Sequence, residues 1–213
     1  GAVFERLIPP EDRHALGQFF TPEPLVDLIN GFCVRHSGDA VLDPTCGTGT
    51  FLIRAYDRLR TCLGVYDHSR LLGQLWGADI APFPAELATI NLFRQQVENT
   101  GNFPRVLNED FFKVVPGGRY RFPPLKPDLP ISESPAQEAV DEPIPQFDAI
   151  IGNFPYISAD RIEQAQKNYL SDVIYRRLAE EWLQAYPQGF LFPDKKTARE
   201  FSLAHEKGLP TDI

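Results

Sequence analysis

Basic charge, methionine, cysteine and long apolar runs are all scarce in this chain, and each shortage narrows what it can be. Its 213 residues hold 21 Lys and Arg against 29 Asp and Glu, for a net charge of -8. A chain of that balance does not coat nucleic acid by charge alone. No stretch reaches the roughly 18 consecutive apolar residues of a transmembrane helix, and residues 1–25 carry no signal-peptide pattern. The three cysteines, Cys33, Cys46 and Cys62, have spacings that form neither a disulfide framework nor a zinc site. A reducing, cytoplasmic setting is the expectation. Methionine is absent altogether: either the composition is unusual, or residues adjacent in this numbering need not be adjacent in the gene. The length suits one domain with a full core and is too short for two large ones. The chain opens on Gly-Ala and stops in mid-pattern at Ile213, as expected of a piece of a longer protein.

What is present alternates strand with helix. Residues 22–36 place Leu25, Val26, Ile29, Phe32 and Cys33 at helical spacing, with Thr21 as N-cap and Pro22 at the first helical position. Ala40-Val41-Leu42 reads as a short buried strand ending at Asp43-Pro44. A glycine turn, residues 46–49, leads into a helix from about Thr50 to Arg60. Residues 74–78 form a second strand ending at Asp79, and 85–96 a second helix. Residues 105–108 and 148–152 are the third and fourth strands. The pattern predicts an α/β fold with a parallel, doubly wound sheet. Residues 122–145 hold seven prolines and several acids and read as a loop or insertion without its own core. From about Ala159 to Tyr186 a long amphipathic helix is expected. The acidity belongs to residues 1–160, with 13 basic and 21 acidic groups, whereas 161–213 hold 8 of each.

Four motifs stand at strand ends, where open parallel sheets bind their ligands. Asp43-Pro44-Thr45-Cys46-Gly47-Thr48-Gly49 lets the backbone pass close to a ligand ahead of a helix N-terminus. No Lys-Ser/Thr follows, so it is not a phosphate loop, and Leu52 replaces the third glycine of a dinucleotide turn. The acid suits an ammonium group, which favours a zwitterionic amino acid head; alone, the motif reads equally as a tight turn. Asp79 can accept both hydroxyl hydrogens of a ribose, or cap the next helix. Asn108-Glu109-Asp110-Phe111-Phe112 pairs an acceptor with an aromatic, a combination that fits adenine and is also common in loops. Gly152-Asn153-Phe154-Pro155-Tyr156 is the most specific. An amide oxygen and a nearby carbonyl can converge on one planar NH2 group, with Tyr156 stacked on the ring that bears it.

Together with Gly17-Gln18-Phe19-Phe20-Thr21-Pro22, the glycine motif and Asn153-Phe154-Pro155-Tyr156 resemble the adenine-N6 DNA methyltransferases. The arrangement is that of type I modification subunits, type II enzymes and related phage-defence methylases, with the Phe-Thr-Pro motif first. It covers about residues 14–156. The resemblance implies a Rossmann-like class I S-adenosylmethionine fold, incomplete at the C-terminus, with 1–156 as cofactor-binding and catalytic core and 157–213 as a helical lead-in to a missing part. It implies that Phe20, Thr21 and Pro22 contact the cofactor's methionine moiety, and that Asp43, Thr45, Gly47 and Gly49 shape its amino acid pocket. Asp79 would bind the ribose, Ile80 pack on the adenine, and Asp110 accept from the adenine amine beside Phe111. Asn153 and the Phe154 carbonyl would hold the target amine, Pro155 would restrict Phe154, and Tyr156 would stack on the target base. The implied partners are double-stranded DNA and a specificity subunit, fused nuclease or other defence subunits, with no membrane and no catalytic metal.

Two departures stand out. Phe154 replaces the family's usual proline, which keeps the carbonyl but frees Asn153 from a following ring. The resemblance also expects further strands and a DNA-reading region after Tyr156, which this piece is expected to lack, in keeping with the acidic charge. A protein glutamine-N5 methyltransferase shares the planar amide target but lacks the preceding Phe-Thr-Pro motif. A non-catalytic cofactor-binding subunit is the other alternative. His14, His36, His68 and His205 show no metal spacing, and Cys46 reads as small filler. Arg161, Lys167, Arg176 and Arg177 are balanced by Glu163, Asp172, Glu180 and Glu181, which favours a solvated face.

Overall fold

The computed structural model describes residues 21–99, 101–115, 117–126, 138–154 and 164–169. Contacts group the chain into two units, Gly1–Tyr156 and Ile157–Ile213. The first unit holds α1 (Glu23–Cys33), β1 (Val41–Asp43), α2 (Thr50–Thr61), α3 (His68–Gln74), β2 (Leu75–Asp79), α4 (Pro82–Phe93) and β3 (Arg105–Asn108). A 3-10 turn at Phe111–Lys113 follows, then β4 (Arg119–Phe122), β5 (Val140–Pro143) and β6 (Ala149–Ile150). In the second unit α5 (Gln164–Tyr169) is described. The rest of the helix expected over 159–186 lies outside the described residues.

The main sheet runs β3-β2-β1-β6, and every pairing in it is parallel. Chain order therefore reverses beside β1. The first three strands step outward in one direction, and β6 returns to the other side of β1. This reversal makes a Rossmann-like switch point between the carboxyl ends of β1 and β6.

Strand alternation sorts the apolar side chains onto two faces. Val41, Leu75, Ala149 and Ile151 join Leu52, Ala55, Leu59, Leu71 and Leu92 from the helices in one buried core. Leu42 and Trp76 face the other way and meet Phe122, with Leu107, Tyr120, Ile144 and Phe147 packed around them. Trp76 stands edge-on to Phe122, ring centroids 5.2 Å apart. The described ends of the proline-rich segment thus pack on the sheet instead of forming a coreless loop. Val140–Pro143 pairs antiparallel with β4, and Phe122 and Leu125 are buried.

Helix boundaries also differ from the sequence reading. Pro22, not Thr21, occupies the α1 cap position, and its carbonyl accepts from the N–H groups of Leu25 and Val26 at 2.9 and 3.1 Å. The helix ends at Cys33, where Arg58 of α2 reaches across and donates through Nε to the Val34 carbonyl at 2.6 Å. That contact satisfies a carbonyl the helix itself leaves open. Asp27 and Arg54 form a bidentate pair between the same helices, one arm at 2.6 Å. Helix α4 begins earlier than expected, at Pro82, and stops at Phe93.

Behind the core, the Tyr56 hydroxyl and His68 Nδ1 lie 2.9 Å apart, and both residues are buried. Burial holds the His68 imidazole below its ordinary pKa, so the folded chain keeps it neutral while an unfolded chain would protonate it. His68 therefore costs stability as pH falls below about 6.5. Urea unfolding of wild type and His68→Gln between pH 5 and 8 should give curves whose difference grows toward acid. Parallel curves would contradict this assignment.

Candidate active site

β1 ends on a carboxyl group almost sealed from water. Asp43 is 1% exposed, and its Oδ1 accepts the Thr45 N–H at 3.1 Å. Burial pushes its pKa up to about 7; the Thr45 N–H pulls the other way, and the charge of Asp79 adds to the rise.

The loop that follows is pinned at several points. The Cys46 N–H donates to the Ala78 carbonyl and the Gly49 N–H to the Cys46 carbonyl, each at 2.8 Å. Gly47 and Gly49 have φ of +53° and +83°, the left-handed region that favours glycine. Gly49 also presses on α4, since a Cβ there would stand 3.1 Å from that of Ala88. Asn91 Nδ2 holds the Thr48 carbonyl at 3.0 Å. Cys46 is buried behind the loop, and burial pushes its thiol pKa well up, with the charges of Asp43 and Asp79 adding to the rise. It is packing, not a nucleophile.

Asp79 closes β2 and serves both neighbours. Oδ2 accepts the Gly47 N–H and Oδ1 the Ala81 N–H, each at 2.9 Å. Part of the capping alternative is thus realised at the turn into α4. Each oxygen still has a lone pair for a hydroxyl. Asn108, at the end of β3, donates from Nδ2 to the carbonyls of Asp79 and Ile80 at 3.0 and 3.1 Å. Asp110 Oδ1 accepts the Phe112 N–H at 3.1 Å. Ile80 is 72% exposed and Phe111 36%, so both offer apolar surface.

β6 brings the fourth motif alongside. The Ile151 N–H donates to the Leu42 carbonyl at 2.9 Å. Gly152 then lies against Asp43, Asn153 is half-buried and Phe154 is 53% exposed.

Direct contacts join Asp43, Thr45 and Gly152 on one side of the loop and Gly47 and Asp79 on the other, while Gly49 stands at the foot of α2. Pro22 caps α1 and Thr21 stands just before it. Phe20, Pro155 and Tyr156 lie outside the described residues. The sequence reading gave no role to Gly77, Asn91 or the Asn108 amide. A Cβ on Gly77 would stand 2.8 Å from Leu52 Cδ1 and 3.0 Å from Cys46 Sγ. A glycine inside an apolar strand was the available signal of such close approach.

A parallel sheet that carries a glycine loop, two acids and an Asn-bearing turn at the carboxyl ends of its strands defines the class as an α/β protein of Rossmann-like topology. The N-6 DNA Methylase family pattern matches residues 2–181, and the chain belongs to that family. The type I restriction enzyme EcoEI methylase subunit of Escherichia coli is 27% identical over 101 residues, 46% of this chain and 21% of that protein. The type II methyltransferase M.CvrRI of Paramecium bursaria Chlorella virus XZ-6E is 33% identical over 85 residues, 40% and 20% of the two chains. Among solved structures, the type I restriction enzyme EcoKI M protein is 29% identical, covering 42% of this chain and 21% of its own, with a TM-score of 0.33. This chain spans about a fifth of the length of the curated relatives named here.

Asp43 also sets a pH signature opposite in sign to that of His68. With its folded pKa raised, the stability it contributes at low pH is lost as pH rises from about 4 through 7. Asp43→Asn removes that loss. The cofactor-free variant should gain on wild type with rising pH, by on the order of 3 kcal/mol between pH 5 and pH 8. Urea unfolding at pH 5 and pH 8 reads this directly; an equal difference at both would contradict the buried-acid assignment.

Proposed function

We propose that this chain is the cofactor-binding and catalytic core of an enzyme that methylates N6 of adenine in DNA, using S-adenosylmethionine, within a restriction-modification or phage-defence system. The observation that carries the reading is the convergence at the β1/β6 switch point. The Asp43 loop, Asp79 and the Asn153 turn come from strands far apart in sequence and meet at one end of the sheet.

The residues fit the cofactor. Asp43 offers a carboxyl for an ammonium group, and the Thr45 hydroxyl is buried without a hydrogen-bond partner. Gly47 and Gly49 bring backbone close with no side chain in the way, Asp79 keeps lone pairs for ribose hydroxyls, and Ile80 and Phe111 offer apolar surface for a purine. When bound, S-adenosylmethionine supplies an electrophilic methyl group.

The chain's own part is to hold and orient the nucleophile. The Asn153 amide oxygen and the Phe154 carbonyl accept the two hydrogens of the adenine amine, which directs the nitrogen lone pair toward the methyl carbon. Tyr156 stacks on the base. That atom is reached only with the adenine out of the duplex stack. The N–C bond would form as the S–C bond breaks, with S-adenosylhomocysteine as the leaving group. The methylated nitrogen, acidic while it carries the extra proton, would lose it to water. Alignment therefore supplies most of the acceleration, and no strong base is needed. Phe154 provides the same carbonyl that a proline would. With a net charge of -8, this chain leaves most phosphate contacts to other parts of the protein or to partner subunits.

The test uses the intact protein with methyl-labelled S-adenosylmethionine and mixed-sequence duplex DNA, digested to nucleosides. Label is expected on N6-methyl-2′-deoxyadenosine and should fall by at least about a hundredfold in Asn153→Ala. Label on peptide glutamine instead would move the reading to protein methylation. Cofactor bound with no transfer to either acceptor would leave a non-catalytic subunit.

A further inference from the structure

We infer that Gly152 is a positioning residue, whose lack of a side chain lets the Asn153 turn close on the buried Asp43 carboxyl and so sets the acceptor amide against the cofactor loop. The inference rests on the methyltransferase reading and adds to it a residue one position before the catalytic turn.

The argument is spatial. Gly152 is not among the residues with positive φ, so backbone conformation does not demand glycine there. Space does. A Cβ at this position would stand 2.8 Å from Asp43 Oδ1, 3.5 Å from its Cγ and 3.7 Å from Thr45 Oγ1. Carbon and oxygen do not approach so closely without a bond, so one side would have to yield.

Which side yields follows from what holds each. Asp43 is sealed from water, its backbone is paired with Gly77 of β2, and the oxygen facing Gly152 already accepts the Thr45 N–H. β6 is less constrained here. Its last paired position with β1 is Ile150 opposite Leu42, followed by the Ile151 N–H bond to the Leu42 carbonyl. A methyl group at 152 would therefore move Gly152 and Asn153 outward and leave the loop in place. The acceptor amide would then sit several tenths of an ångström from its productive position, in a reaction that depends on alignment.

The experiment uses the intact protein and three variants: Gly152→Ala, Asp43→Ala, and the two combined. At saturating S-adenosylmethionine, Gly152→Ala should slow methyl transfer to DNA by about ten- to a hundredfold, with binding of S-adenosylhomocysteine little changed. Asp43→Ala makes room for the methyl group but also removes a group placed in the cofactor pocket, so the coupling between the two positions is read in stability and not in rate. Urea unfolding should show a loss for Gly152→Ala that disappears in the Asp43→Ala background. Wild-type turnover in Gly152→Ala would overturn the inference. So would an equal loss of stability in both backgrounds, or a loss confined to S-adenosylhomocysteine binding. If Gly152→Ala alone does not fold, the double variant should; failure of both would also overturn it. Absence of transfer by the wild type would count against the methyltransferase reading instead, and the unfolding cycle would still decide the contact.

Discussion

A carboxylic acid kept out of water at the end of the central strand is the constraint around which the remaining structure is arranged. Burying Asp43 is unfavourable for its charged form, and the chain supplies it with one backbone donor, from Thr45, and a second acid nearby. Such an arrangement makes little sense as a stabilising device. Under the proposed function it is the group that meets the cofactor's ammonium, whose positive charge would restore the ionised form.

Much of the neighbouring packing holds that site in shape. Gly77 admits Cys46 and Leu52 against β2, which seats the glycine loop on the sheet. Asn91 and Asp79 fix the loop from the α4 side, and Asn108 ties the end of β3 to that of β2. Few of these residues are candidates for contact with a ligand. Their effect is to limit how far the loop and the strand ends can drift, and preorganisation of this kind is where such a site gains its rate.

Much of this was legible in the sequence. β1, β2 and β3 are short apolar runs closed by Asp43, Asp79 and Asn108, and the glycine turn before α2 marks a helix start without ambiguity. Helix α3 was not legible. Its seven residues are too few for a periodic signal, and what starts it is local, the Asp67 carboxylate accepting the Arg70 N–H at 2.6 Å. The β4–β5 pairing was hidden for a different reason. Its strands are separated by a proline-rich stretch, and Phe122 and Val140 become core only once Leu42 and Trp76 are beside them. Within the site, the polar residues that close β1, β2 and β3 were legible as strand ends. The reasons for glycine at 77 and 152 lie in atoms that the fold alone brings near.

The most direct test of this account is the titration of Asp43 itself. Its side-chain carboxyl, labelled with carbon-13, can be followed by NMR in the intact protein, free and saturated with S-adenosylhomocysteine, whose amino group is the one the carboxyl is expected to meet. The account predicts a midpoint of about 7 in the free protein and a clear fall on binding. An unchanged midpoint in the complex would contradict the placement of the amino group at Asp43, and with it the arrangement of the site.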